Sequence, residues 1–357
     1  MGSGVYEALA QALDRLPNGF PRTGSGVEIE ILKEIFTPEE ADLAARLSEL
    51  AETPQEVAAR LTLDPEEVGG RLRSMAERGL IWAGRFGGRR GFRLAPFIVG
   101  FYEAQRETMS HRLAHLVEEY ADSPEGMRTL MTVTPALHRV MPAHGAVKSE
   151  WVLPYDDVKG LLLEAKSFRL IDCICRHQQD LLGRRKCAFP VRACMVFYFT
   201  ERPPGPDSVS REEALATLDM TEKVGLVHTV SNVVKGLYYI CNCCGCCCAI
   251  LRGVTQHGIK QSVACANYFA TVDPGLCSGC ADCQGRCQVG AIAVAGDSAV
   301  VDRSKCIGCG LCVTGCPTGA AELKLKPEDE IITPPEDFAA WEILRRANRG
   351  RQKTGQV

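Results

Sequence analysis

Hydrophobic and polar positions change period several times along this 357-residue chain. From Pro38, the apolar residues Ala41, Leu43, Leu47 and Leu50 form one helical stripe. Thr53-Pro54-Gln55-Glu56 has the form of a capping box with proline at the first helical position, and it predicts a short helix ending near Leu61. Asp64-Pro65-Glu66-Glu67 predicts another helix start. Val68, Leu72 and Met75 recur there at i, i+4 and i+7, and Gly79 stops the run. Leu80–Trp82 and Phe92–Leu94 then read as two strands around the turn 84–91. Residues 1–27, glycine-rich toward their end, predict a short helix and a tether. Residues 96–167 read as a mainly helical linker, with one long helix over Phe101–Tyr120 and another from Tyr155 to about Ser167. Within 168–270, a mixed segment, Ser210 caps a helix over Glu212–Val224. In 271–325, Ala291–Ala295 and Ala299–Asp302 read as a hairpin around Gly296-Asp297. The tail 326–357 carries a charged, helix-like stretch around Trp341–Arg351.

The fold class that follows is multidomain α+β: an N-terminal domain over 28–95, a mixed α/β cysteine-rich middle domain over 168–270, and a compact C-terminal domain over 271–325. Helix, short helix, helix and hairpin is the order of a winged helix-turn-helix, and "TPQEVAARLTLDPEEVGGRLRSMAERGLI" resembles that family. The resemblance implies that the helix 65–78 would enter a major groove, with Arg85, Arg89, Arg90 and Arg93 of the wing as candidate DNA contacts. Against this, Glu66, Glu67 and Glu77 offset Arg71, Arg73 and Arg78 in that helix. A docking or dimerisation module is therefore favoured over a DNA reader, because fold does not give function.

Composition adds limits. Hydrophobic residues make up 46 % and charged residues 24 %, which is globular rather than disordered. A formal charge of −3 gives no global nucleic-acid signal. The N-terminus lacks the basic start and apolar core of a signal peptide, and no run approaches ~18 apolar residues, so the expectation is a cytoplasmic protein without a membrane span. In a reducing compartment, dense cysteines read as metal ligands before disulfides.

The cysteines change the picture most. All 19 lie between Cys173 and Cys316. Cys277-x2-Cys280-x2-Cys283-x3-Cys287 recurs 29 residues later as Cys306-x2-Cys309-x2-Cys312-x3-Cys316-Pro317. Eight cysteines at this spacing fit iron–sulfur cubanes and not the CxxC pairs of zinc ribbons. The repeat resembles the two-cluster bacterial ferredoxins. That resemblance implies a ferredoxin-like fold and two [4Fe-4S] clusters, one held by Cys277, Cys280, Cys283 and Cys316, the other by Cys306, Cys309, Cys312 and Cys287. Two such oxidised clusters would bring the net charge to about −7. One departure stands out: Pro317 follows Cys316, but Gln288 follows Cys287.

Eleven cysteines remain. Cys173, Cys175, Cys187 and Cys194 suggest one further ligand set, and Cys241, Cys243, Cys244, Cys246, Cys247 and Cys248 another. Neighbours on an extended strand point to opposite sides, so the six cannot all face one cube; some would bridge to the first set or serve as redox-active thiols. Cys243-Cys244-Gly245 resembles the CCG element of heterodisulfide reductases, but only that step matches, so disulfide reduction is not carried over. Cys265 reads as a buried small hydrophobe. His177 and His228 read as structural, and Arg176 either as a counter-charge to an anionic centre or as a salt-bridge partner. "CICR", "ICNCCGCCC" and the terminal repeat together resemble the long ferredoxin-like proteins of anaerobic bacteria.

The function expected is electron transfer: two [4Fe-4S] clusters and at least one further iron–sulfur centre exchange single electrons with a redox protein partner in anaerobic metabolism. A second copy of the chain is a further candidate partner, and DNA is a disfavoured one. The alternatives are a redox-sensing regulator using the winged helix and a reductase with its catalytic centre at the 173–248 cysteines.

Overall fold

The computed structural model describes residues 3–86 and 88–353. The chain divides into two units, one of Met1–Val133, Leu181–Gly183 and Glu342–Val357, the other of Thr134–Asp180 and Arg184–Trp341.

In the first unit, helices Ser3–Arg15, Val27–Ile35, Pro38–Ala45, Pro54–Leu61 and Pro65–Glu77 precede a two-stranded antiparallel sheet of β1 (Ile81–Phe86) and β2 (Arg89–Leu94). Thr37 and Thr53 both complete capping boxes, and Asp64 accepts from the N–H groups of Glu66 and Glu67. Leu50 lies beyond the end of its expected helix and is exposed. Strand pairing runs further into the expected turn, because Trp82 and Phe86 stack at 6.1 Å and the Arg93 guanidinium covers both rings.

Three segments depart from the sequence reading. Residues 1–27 are not a tether, since Leu9, Leu13 and Phe20 are buried and the Phe20 ring meets Phe97 and Tyr120 at 5.1 and 5.2 Å. The long helix expected over Phe101–Tyr120 is broken. Ser110 Oγ accepts from Leu113 N–H at 3.0 Å and starts a new helix, His111–Asp122. The stretch 96–167 is not one linker either: it divides between the units after Val133, and part of it is strand. The tail forms the helix Phe338–Lys353, whose fully buried Arg345 donates to the carbonyls of Pro17, Leu130 and Val133.

The second unit is built on a seven-stranded sheet of β3 (His138–Met141), β4 (Ser167–Asp172), β5 (Arg192–Tyr198), β6 (Ser208–Val209), β7 (Val227–Ser231), β8 (Tyr239–Cys243) and β9 (Val263–Ala264). Their order is β6-β4-β5-β8-β7-β3-β9, and only β3 and β9 run parallel. The helix Arg211–Val224 starts at the Ser210 capping box and ends at Gly225, whose φ of 95° suits glycine. The last part of the unit pairs β10 (Tyr268–Val272) with β13 (Ala321–Leu325), and β11 (Ile292–Ala295) with β12 (Ser298–Val301). Short helices Asp282–Arg286 and Leu311–Thr314 carry the third cysteine of each repeated set. Ala281 and Gly310, one repeat apart, both open their helix in the left-handed conformation, so the repeat is visible in the backbone. Among the described residues, no helix is long and apolar enough to cross a membrane.

Candidate metal centres

The 19 cysteines are all unpaired thiols. Backbone geometry sorts the repeated ones first. Cys277, Cys280, Cys283 and Cys316 line one cavity, and Cys287, Cys306, Cys309 and Cys312 line a second. The fourth cysteine of each run thus stands with the other half. Backbone N–H groups aim at the sulfurs, from Ala299 to Cys277, Ala321 to Cys316 and Ala291 to Cys287, at 3.2–3.4 Å.

The two cavities differ electrostatically. N–H groups of Gly279 and Ala299 hold the Cys277 thiol below its ordinary range. At Cys316 burial acts upward, but donors from Ala321 and Thr318 bring the net shift down. In the second cavity, burial pushes Cys309 up and raises Cys312 to about 12. The first set is the more open, with Cys280 exposed, and the second is the more enclosed.

The remaining cysteines regroup. Cys194 on β5 lies opposite Cys241 on β8, beside the paired Met195 and Ile240. Cys241 and Cys243, two apart on β8, share a face. Cys173 follows β4, Cys175 lies in the helix Ile174–Leu181, and Cys248 caps the helix Ala249–Thr255. Their thiols form a closed ring of contacts, Cys173 to Cys194, Cys194 to Cys241, Cys241 to Cys243, Cys243 to Cys248, Cys248 to Cys175 and Cys175 to Cys173. Hydrogen bonding to the neighbouring thiol, then burial, pushes Cys175, Cys194, Cys241 and Cys243 up. Cys173 goes down, because Cys175 and Cys194 bond to it. Six neighbouring thiols cannot all ionise together without cations among them.

The other group is Cys187, Cys244, Cys246 and Cys247, whose sulfurs all lie within 4.8 Å of one another. This moves Cys187 out of the expected set with Cys173, Cys175 and Cys194, and it places Cys241, Cys243 and Cys248 with that set, in line with the expectation that part of the 241–248 run would bridge to it. Both groups draw on both segments, because β5 and β8 are sheet neighbours and the loop carrying Cys187 lies over the 244–247 turn. Cys265 is exposed, not buried.

Arg176 makes no salt bridge among the described residues. Fully buried, it donates Nη1 to the Asn242 carbonyl at 2.9 Å and approaches Cys244 Sγ at 3.9 Å, while its Nε and Nη2 have no partner. His228 is satisfied by Asn242 and Glu222, in keeping with a structural role. Arg89 pairs with Glu56, and Arg93 lies over Trp82 and Phe86 and bonds Glu342; Arg85 and Arg90 are exposed on the same hairpin.

Two residues of this region carry no motif. Arg286 donates to the carbonyls of Glu222, Lys223 and Leu311 at 2.7–2.8 Å. Gln288 donates to the Gly225 carbonyl and accepts from Gly245 N–H, both at 3.0 Å. The one visible signal was the break in the repeat at Gln288.

Residues 299–322, which hold Cys306, Cys309, Cys312 and Cys316, match the 4Fe-4S binding domain family. No curated protein matches the chain. The matched domain marks an iron–sulfur protein, and the four-thiol group could hold a metal ion.

Proposed function

We propose that the protein is an electron-transfer protein with two [4Fe-4S] clusters in the ferredoxin-like repeat and a further centre in the cysteine-rich domain, working with a redox protein partner. The observation that carries this reading is the pair of four-cysteine cavities of crossed ligand origin, joined through Gln288 to the Cys244–Cys247 turn. The residues fit such clusters: each cavity offers four thiols and inward N–H donors suited to an anionic group. When bound, a [4Fe-4S] cluster gains and loses one electron at a time, and the protein supplies binding and electrostatics. Exposed Cys280 makes the first cavity the outward one. Burial pushes the Cys309 and Cys312 thiols up in the second, which meets the Cys244–Cys247 turn through Gln288.

The six-thiol ring supports the further iron–sulfur centre, because it offers more ligands than one cubane uses. That surplus also weighs against the reductase reading, which needs an iron left open. The regulator reading is weakened by the engagement of Arg89 and Arg93 within their own unit. Anaerobic iron and sulfide counting with Mössbauer spectroscopy tests the proposal. At least eight irons per chain and cubane EPR on reduction are expected; zinc as the sole metal overturns it.

A further inference from the structure

The four thiols of Cys187, Cys244, Cys246 and Cys247 are spaced unlike the repeated cysteines. Those surround cavities, as the ligands of a whole iron–sulfide cube must. Here Cys187 Sγ lies 3.9 Å from Cys244 Sγ and 3.8 Å from Cys247 Sγ, and Cys246 Sγ lies 3.6 Å from Cys247 Sγ. A single tetrahedral ion with metal–sulfur bonds of about 2.3 Å has thiolates about 3.8 Å apart. The contacts match that edge and leave no room for a cube between them.

The surroundings meet the other requirements of such a site. Four thiolates about a divalent ion leave two negative charges in a largely buried place, which need compensation. Arg176 aims at Cys244 with two further buried donors unused, and Arg185 places a second positive charge near Cys187. Ala193, Leu226 and Phe189 form an apolar wall. Gly245 gives the turn its close approach, since a Cβ there would lie 2.0 Å from the Gln288 carbonyl oxygen.

We propose that Cys187, Cys244, Cys246 and Cys247 bind one tetrahedral thiophilic ion, zinc or iron, as a mononuclear site separate from every iron–sulfur cluster of the chain. Binding releases the thiol protons and converts the four sulfurs to thiolate ligands. The site pins the Cys187 loop to the Cys244–Cys247 turn. It does not depend on the electron-transfer reading, because its test counts one ion while sulfide content reports the clusters.

The test compares anaerobically purified full-length protein with the Cys187→Ala/Cys246→Ala variant for zinc, iron and acid-labile sulfide. The expected result is loss of one ion per chain with sulfide unchanged. If the ion is zinc, its K-edge absorption in the unaltered protein reads four sulfurs at about 2.3 Å and no metal neighbour, a measurement that needs no variant. If it is iron, Mössbauer spectra of the unaltered protein contain one high-spin tetrathiolate iron outside the cluster signals. Loss of about four irons with four sulfides would show a cubane and overturn the proposal. A native protein with neither a tetrathiolate zinc nor a mononuclear iron would overturn it equally.

Discussion

The carbonyl oxygen of Gln288 occupies the space beside Gly245 where any other residue would carry its Cβ, 2.0 Å away, while the Gln288 side chain accepts from Gly245 N–H at 3.0 Å. Cys287 precedes the one residue, and Cys244 and Cys246 flank the other. The second cavity of the repeat and the Cys244–Cys247 turn are therefore in direct backbone apposition. Gly245→Ala must push these backbones apart, with an expected loss of about 1–3 kcal/mol from overpacking. Gln288→Ala removes two hydrogen bonds without a clash, and about 1–2 kcal/mol is expected. Thermal denaturation under anaerobic conditions ranks the two. EPR of the reduced protein should change for the cluster at Cys287 and remain for the one at Cys277.

Arg286 is the second clamp between the same regions. Its guanidinium caps the C-terminal carbonyls of the helix Arg211–Val224 at Glu222 and Lys223, where a cation also complements the helix dipole. Its Nε bonds the Leu311 carbonyl beside Cys312. Arg286→Ala removes three hydrogen bonds from a charged donor, although the Glu222 and Leu311 carbonyls keep Gly225 N–H and the Thr314 hydroxyl, and a loss of about 3 kcal/mol is expected. Limited proteolysis should then cut between residues 260 and 275 faster than in the unaltered protein. Arg286→Lys can restore one of the three contacts and should recover part of the loss.

The local signals in the sequence held where chemistry is local. The Thr53 and Ser210 capping boxes, the Asp64 cap and the β11–β12 hairpin lie where residue order places them, because each is fixed within a few residues. The repeated cysteines fall around two cavities for the same reason: spacing within a tight loop already limits what they can surround. The partition of the other cysteines was not legible. It depends on β5 lying beside β8, a pairing between strands more than forty residues apart that no short motif records. The expected helix over Phe101–Tyr120 is interrupted at Ser110, whose side chain caps a new helix, while Phe101 packs on Phe36 and Phe97, so a local cap and tertiary contacts overrode a helical composition.

Arg176 is a buried cation with two unused donors beside thiols of both groups, its charge felt by Cys173, Cys194 and Cys244. Such a side chain is stable only against negative charge. Arg176→Met keeps the volume and removes the charge. Metals bound by the 173–248 cysteines should then be lost in large part on dialysis, while the iron and sulfide of the repeat are retained. Arg176→Lys should hold an intermediate amount, since an ammonium supplies the charge without the fork of donors. Metal and sulfide analysis after anaerobic dialysis reads the outcome, and equal retention in all three proteins would show that Arg176 serves packing alone.

His138 gives the fold a pH dependence whose sign is fixed by burial. It lies on β3, 5 % exposed, with Nε2 2.8 Å from the Tyr239 hydroxyl and Nδ1 3.3 Å from that of Thr229. Burial lowers its pKa to about 4, against an ordinary value of about 6.5 in the unfolded chain. Between those values the unfolded state takes up a proton that the folded state refuses. Stability from the neutral imidazole is thus complete above about pH 6.5 and is lost as pH falls toward 4, by at most about 1.4 kcal/mol per unit. His138→Gln has no charge to gain and removes that dependence, although it costs stability at neutral pH through its poorer fit. Anaerobic melting temperatures of the two proteins should therefore converge from about pH 7 down to about pH 5. Parallel curves with a constant offset would mean that His138 stays neutral in the unfolded chain or is protonated in the folded one.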